Sequence, residues 1–163
     1  MRRAAVSFAG GLLVVCSGVA ASTAIAQSAS ASAATKPADD TVAYRHYTLA
    51  CMGCHGPEGE GVPDIIPPLR KALGRFVQTP AGRDFIVRVP GASNSALSDS
   101  ELAAVTNMML RRFNSETAPP GLKPYTAEEV AQHRRPVLSD VQTVRAAVME
   151  SLRRAGVQTE DGY

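Results

Sequence analysis

Two thiols and an imidazole stand together at Cys51, Cys54 and His55, within the run Cys51-Met52-Gly53-Cys54-His55-Gly56. The order C-x-x-C-H is the attachment pattern of a c-type haem. Two thiols about one helical turn apart reach the two vinyl groups on one edge of a porphyrin, and the resulting thioethers hold the macrocycle covalently. The adjacent imidazole is then carried beneath the ring as an axial ligand of the iron. Three other chemistries use related residues and fit less well. A thioredoxin-type pair wants a strand before it and a helix after it; here a helical signal precedes and Gly56-Pro57-Glu58-Gly59 follows. A zinc centre needs about four ligands, and His46 and His133 lie far outside the spacing of a knuckle. A structural disulfide gives neither His55 nor the glycine-rich sequel a role.

The elements that must position this motif can be read from caps and periodicity. Asp40 serves as an N-cap for a helix over about 41–50, with Val42, Ala43, Tyr47 and Ala50 able to share a face. The stretch from Cys51 to Pro68 is too rich in Gly and Pro for long regular structure. A short helix is expected over 70–77. Thr79 before Pro80 opens another that stops at Pro90-Gly91, although the β-branched Ile86, Val87 and Val89 leave a strand as the alternative. Ser98 with Glu101 forms a capping box that opens the clearest helix, about 99–113, with Leu102, Val105, Met109 and Phe113 on one stripe. A linker with Pro119-Pro120-Gly121 follows. Thr126 with Glu129, and Ser139 with Gln142, signal two more helices. The second of these carries Val141, Val144, Val148 and Leu152 and closes at Gly156. Residues 39–114 are expected to form the haem domain and 115–163 a linker and helical arm. The arm either docks to a partner or packs back on its own chain. Its paired arginines, Arg134-Arg135 and Arg153-Arg154, read as a solvated helix face.

Residues 1–26 read as an address. Arg2 and Arg3 precede an uncharged apolar run from Ala4 to Ala21, and Ala24-Ile25-Ala26 fits a small-x-small cleavage site. A cleaved signal peptide and a periplasmic protein are expected, with Cys16 discarded and 27–38 a flexible leader. No later apolar run is long enough to cross a bilayer. The whole chain carries a formal net charge of only +2, and Arg2 and Arg3 account for it. So balanced a chain lacks the basic excess of a nucleic-acid binder. With no Trp, 4 Tyr and 4 Phe, the core is short of large flat side chains, a place that a bound porphyrin would fill.

The chain resembles the single-haem class I c-type cytochromes. The resemblance covers roughly residues 40–114. It rests on Cys51-Met52-Gly53-Cys54-His55-Gly56, Gly59-Glu60-Gly61-Val62-Pro63, Pro67-Pro68-Leu69 and Leu97-Ser98-Asp99-Ser100-Glu101-Leu102. It implies an all-α fold, a class I cytochrome c-like set of helices around one covalent haem c, here extended by the C-terminal arm. First and last core helices cross in that fold, so Tyr44 or Tyr47 would pack against the helix carrying Leu102 and Phe113. Cys51 and Cys54 would hold the haem and His55 would be the proximal iron ligand. A carbonyl near Pro67 or Pro68, with Leu69 beside them, would accept from the other ring nitrogen of His55. The activity implied is single-electron transfer between protein partners, such as a periplasmic dehydrogenase and an acceptor. That is the work of a carrier rather than an enzyme.

The chain departs from the family at the distal ligand. The family places a methionine in the loop before the last core helix, but Val89-Pro90-Gly91-Ala92-Ser93-Asn94-Ser95-Ala96-Leu97 contains none. Met109 is the leading substitute and Met108 the next; core packing is the competing role for Met109. Met52 lies on the proximal side, and Met149 and His133 would need the arm to fold over the haem. An open distal position would instead describe a five-coordinate haem protein for peroxide, NO or CO, with Arg88 or Asn94 as nearby polar groups. Docking through 124–163 would describe a haem subunit of a larger dehydrogenase complex.

Overall fold

Residues 37–159 are described in the computed structural model, and among them seven helices form and no strand. The helices are α1 (Pro37–Ala50), α2 (Leu73–Phe76), α3 (Pro80–Arg88), α4 (Pro90–Ser93), α5 (Asp99–Phe113), α6 (Ala127–His133) and α7 (Val141–Arg154). The all-α fold class is thus observed. The expected signal peptide lies outside the described residues.

Packing of α1 against α5 provides the frame. Ala43 and Tyr47 are buried on α1, and the Tyr47 ring meets Phe113 edge-on with centroids 5.4 Å apart. The expected contact between an α1 tyrosine and the last core helix is made here. Tyr44 stacks on Tyr47 at 5.8 Å, and the Arg112 guanidinium covers Tyr44 at 4.2 Å while pairing with Glu58 at 2.9 Å. The helix begins at Pro37, earlier than an Asp40 cap would allow. Proline loses nothing in a first turn, where its missing N–H has no helical acceptor. Asp40 therefore lies within the helix, and its carboxylate pairs with Arg111 of α5.

Other boundaries follow local chemistry. Thr79 caps α3 by accepting from the Gly82 N–H at 3.2 Å. This start, with Pro80 behind it, settles Ile86 and Val87 in a helix rather than a strand. The short helix expected from residue 70 starts only at Leu73, because Lys71 sits at φ 60 and its N–H donates to the Phe113 carbonyl. At Pro90 the chain does not simply stop; it re-enters a single turn, α4. The capping box of α5 is complete: Ser98 accepts from the Glu101 N–H, and Glu101 accepts from the Ser98 N–H at 2.7 Å. The cap of α6 is one-sided. Thr126 accepts from the Glu129 N–H, but the Glu129 carboxylate turns to Arg83 at 2.8 Å. The cap of α7 is Asp140, which accepts from the Thr143 N–H at 3.0 Å. Ser139 is bypassed because Leu138 is tied down first, buried and donating to the Arg88 carbonyl.

Residues after 114 pack back on the helices before it: α6 against α5 and α3, α7 against α3 and α2. Tyr125, Val130, Leu138, Val148, Met149 and Leu152 share one buried cluster with Tyr47, Val105 and Phe113. Asn114 marks the turning point. Its Oδ1 accepts from the Gly74 N–H at 3.0 Å and its Nδ2 donates to the Met109 carbonyl at 3.0 Å, tying α2 to the end of α5. Of the four paired arginines expected on a solvated face, Arg135, Arg153 and Arg154 are exposed but Arg134 is buried.

Candidate functional site

The motif grows out of the end of α1. The Tyr47 carbonyl accepts from the Cys51 N–H at 2.8 Å, and the Cys51 carbonyl then accepts from Cys54 at 3.1 Å and His55 at 3.0 Å. This tight turn keeps both thiols and the imidazole on one short piece of chain. The following loop is fastened by α1: the hydroxyls of Tyr47 and Tyr44 donate to the carbonyls of Gly56 at 2.6 Å and Pro57 at 3.1 Å. Gly59, at φ 77, accepts from Leu69 and Arg70 through one carbonyl, at 2.8 and 3.0 Å. A Cβ at Gly59 would lie 2.9 Å from the Phe113 ring, so only glycine fits this crossing. A bridge between Val62 and Ile66 completes the loop and returns the chain to Pro67, Pro68 and Leu69.

These residues open on a cavity of about 540 Å³. Cys51, Cys54, His55, Pro67, Pro68 and Leu69 line it on the motif side. Phe76, Ile86, Leu102 and Val105 give it apolar walls, and Met109 lines it from α5. The far wall is α7, through Val141, Arg145, Met149 and Leu152, a single face of that helix. The charged side chains lining the cavity are all arginines: Arg70, Arg75 and Arg145.

The motif's electrostatics suit binding rather than thiol redox chemistry. Burial, and then the neighbouring Cys54, pushes the Cys51 thiol up to about 11. It therefore stays protonated at neutral pH, unlike the lowered thiol of a disulfide oxidoreductase. Both cysteines are free. Burial lowers the pKa of His55, and the nearby Pro67 carbonyl opposes this in part. The contact falls short of a complete hydrogen bond, so Nδ1 is buried and unsatisfied. A neutral imidazole beside a carbonyl acceptor is the arrangement that metal-bound histidines use.

A haem fits these residues. The cavity lies within the range of about 300–1,000 Å³ typical of cofactor sites. Its walls are apolar, its arginines match the two carboxylates of a haem, and its thiols and imidazole come in the attachment order. Among the described residues, no three of His, Cys, Asp and Glu gather where they could hold a metal ion directly.

The sequence-predicted residues are placed as follows. Met109 lines the cavity, whereas Met108 is fully buried and does not. Met149 reaches the cavity because α7 folds back. His133 does not reach it: its Nδ1 lies 2.6 Å from Asp84 Oδ1, at a separate cavity of about 150 Å³. Neither Arg88 nor Asn94 lines the main cavity, and Arg88 turns to Asp84 at 3.4 Å. Sequence reasoning missed the three arginines that line the cavity, Arg70, Arg75 and Arg145, and Thr106, which lines it from α5. The spacing 141, 145, 149 and 152 was available as a signal, but the more apolar stripe through Val144 and Val148 masks it. Among the described residues, no helix is long and apolar enough to cross a membrane.

Comparison with known proteins gives two relatives. Cytochrome c-552 of Thermus thermophilus is 30% identical over 112 residues, covering 58% of this chain and 86% of the relative. A second cytochrome c-552, from a designated strain of the same species, is also 30% identical over 112 residues, covering 58% of this chain and 76% of the relative. No protein-family model matches the chain, and no solved structure matches it.

Proposed function

The chain belongs to the c-type cytochromes, and from this premise we propose that it carries single electrons between protein redox partners in the periplasm through one covalent haem c. Cys51 and Cys54 provide the thioether sulfurs and His55 the proximal ligand. The observation that carries this reading is the apolar, arginine-lined cavity that both thiols and His55 enter together. When bound, the haem iron supplies a reversible one-electron change. The protein's share is positioning and environment. Burial keeps His55 neutral. The apolar walls limit water and so favour a raised reduction potential. Exposed Ile65 at the cavity and exposed Leu49 just before the motif are apolar side chains that a partner could cover.

Met109 is the proposed distal ligand, because it lines the cavity from a rigid helix. Met149 on α7 also lines the cavity and is the second thioether available, whereas Met108 is buried without lining it. The test is the optical spectrum of the oxidised holoprotein. A weak far-red iron–thioether band that is lost in M109A and kept in M149A supports the assignment. The reverse pattern transfers the role to Met149.

A five-coordinate protein for peroxide, NO or CO draws its support from the methionine-free loop 89–97, but the polar groups expected to serve it do not reach the cavity. Ready CO binding by the reduced protein, with no thioether band, would favour it over the carrier. A subunit docked through 124–163 loses its main motive, since α6 and α7 bury their apolar residues in their own chain.

A further inference from the structure

The loop between α3 and α5 faces the cavity through Val89, Gly91, Ala92, Ser95 and Leu97. It carries no side chain able to bind iron, so nothing in it can be tethered through the metal. Its only helical piece is the single turn α4, in which the Pro90 carbonyl accepts from the Asn94 N–H and the Ala92 carbonyl from Ser95, while the Ser93 carbonyl takes a side-chain donor from elsewhere. The loop is nevertheless buried in part, with Ser93 fully so.

That donor is Arg134, which is itself buried just after α6. Nη1 donates to the Leu97 carbonyl at 2.9 Å and to Asp99 Oδ1 at 2.8 Å. Nη2 donates to the carbonyls of Ser93 and Ser95, each at 3.2 Å, and more distantly to Ala92 at 3.4 Å. The loop answers in kind, since the Ser93 hydroxyl donates to the Arg134 carbonyl. One guanidinium thus gathers carbonyls from both ends of the loop, while Asp99 at the start of α5 balances its charge. A planar fork can do this; a lysine ammonium, a point donor, cannot span the same set.

We propose that Arg134 is the positioning residue of the haem pocket's loop wall, clamping residues 92–97 against the cavity in place of a metal tether. The proposal rests on the carrier reading above for its consequences at the haem, but not for the clamp itself. Loss of the fork removes this donor from the buried Ser93 carbonyl and from the half-buried carbonyls of Ser95 and Leu97, and the loop swings out to find water. Water and small ligands then reach the distal side, and the reduction potential falls as the pocket becomes more polar.

The test uses the full-length holoprotein and three variants, R134Q, R134K and D99N. Three quantities are measured: amide hydrogen exchange of residues 92–97, CO association with the reduced protein, and reduction potential. R134Q is expected to speed loop exchange by about ten- to hundredfold, the range for losing a charge-assisted buried hydrogen bond. It should also speed CO association and lower the potential. R134K keeps the positive charge but not the fork, so a shared fall in potential comes from geometry and not from charge. D99N removes the charge partner but not the carbonyl bonds and should speed loop exchange less than R134Q; an effect as large as that of R134Q would show that the ion pair, not the carbonyl fork, holds the loop and would overturn the clamp. Wild-type exchange, CO association and potential in either Arg134 variant would overturn the clamp. If R134Q does not accumulate as holoprotein, R134K decides by the same criteria. Absence of covalent haem from the unaltered chain would refute the carrier reading instead, and the exchange measurement would still decide the clamp.

Discussion

The Tyr47 hydroxyl donates to the Gly56 carbonyl across 2.6 Å, so the helix that leads into the attachment motif also holds the residue just beyond it. The motif is bracketed from one side by a single buried ring. That ring in turn leans on Phe113 of α5. Replacing the hydroxyl alone, in Y47F, leaves the packing and removes the bond. The expected cost is about 1 kcal/mol, read as a lowered denaturant midpoint with an unchanged slope. Equal stability of Y47F and wild type would show that the bracket adds nothing beyond packing.

Gly59 is the second fixed point of the motif loop. At φ 77, with the Phe113 ring and the Arg70 backbone close by, alanine meets both an unfavourable backbone region and a wall. G59A is expected to lose about 1–3 kcal/mol and to attach less haem at a given expression level. G121A, at φ 71 but with nothing within 4 Å of an added Cβ and outside the motif loop, is the matched control and should attach haem normally.

The C-terminal wall is testable with one side chain. Leu152 is fully buried on the face of α7 that lines the cavity. L152A should cost about 2–5 kcal/mol, as for other large-to-small core changes, measured by thermal or denaturant unfolding of the holoprotein. Truncation after Asn114 should likewise abolish cooperative folding. A stable, haem-loaded 1–114 fragment would show that residues 115–163 are dispensable to the core.

Acid should loosen α7 through its cap. The Thr143 N–H bonds to Asp140 and holds the carboxyl below the usual carboxylate range. A folded-state pKa below the unfolded value means that the carboxylate's contribution is present above about pH 4 and is lost as pH falls through the lower folded value. Helicity of wild type between about pH 4 and 2 should therefore decline more steeply than that of D140N, which keeps an uncharged cap at every pH. Parallel acid profiles would remove the cap from the explanation.

The candidate site was legible because its thiols and imidazole fall within five residues of one another. Cys51, Cys54 and His55 need only a local turn to come together, and the caps at Thr79, Ser98 and Thr126 likewise act within a few residues. Placement of Pro67 beside His55 was reachable only through the family resemblance, since it depends on a loop closed by Gly59 and the Val62–Ile66 bridge. Long-range choices were not legible. Val148 and Met149 are both buried, and only the packing of α7 decides which of them faces the cavity. Arg134 looks like its exposed neighbour Arg135 in sequence; its burial depends on carbonyls some forty residues earlier that a guanidinium happens to match. Asp140 and Ser139 are equally good caps by residue type, and the burial of Leu138 decides between them.

The pocket's walls come from opposite ends of the described chain, with the thiols at its beginning and Met149 and Leu152 near its end. Contacts so far apart in sequence close the largest loops and cost the most chain entropy. A chain emerging N-terminus first presents its two thiols and imidazole in an open half-pocket, with the side later covered by α7 still accessible. A haem held by these thiols would be covered on one side by α7, so closure of the pocket would depend on the last helix of the described chain.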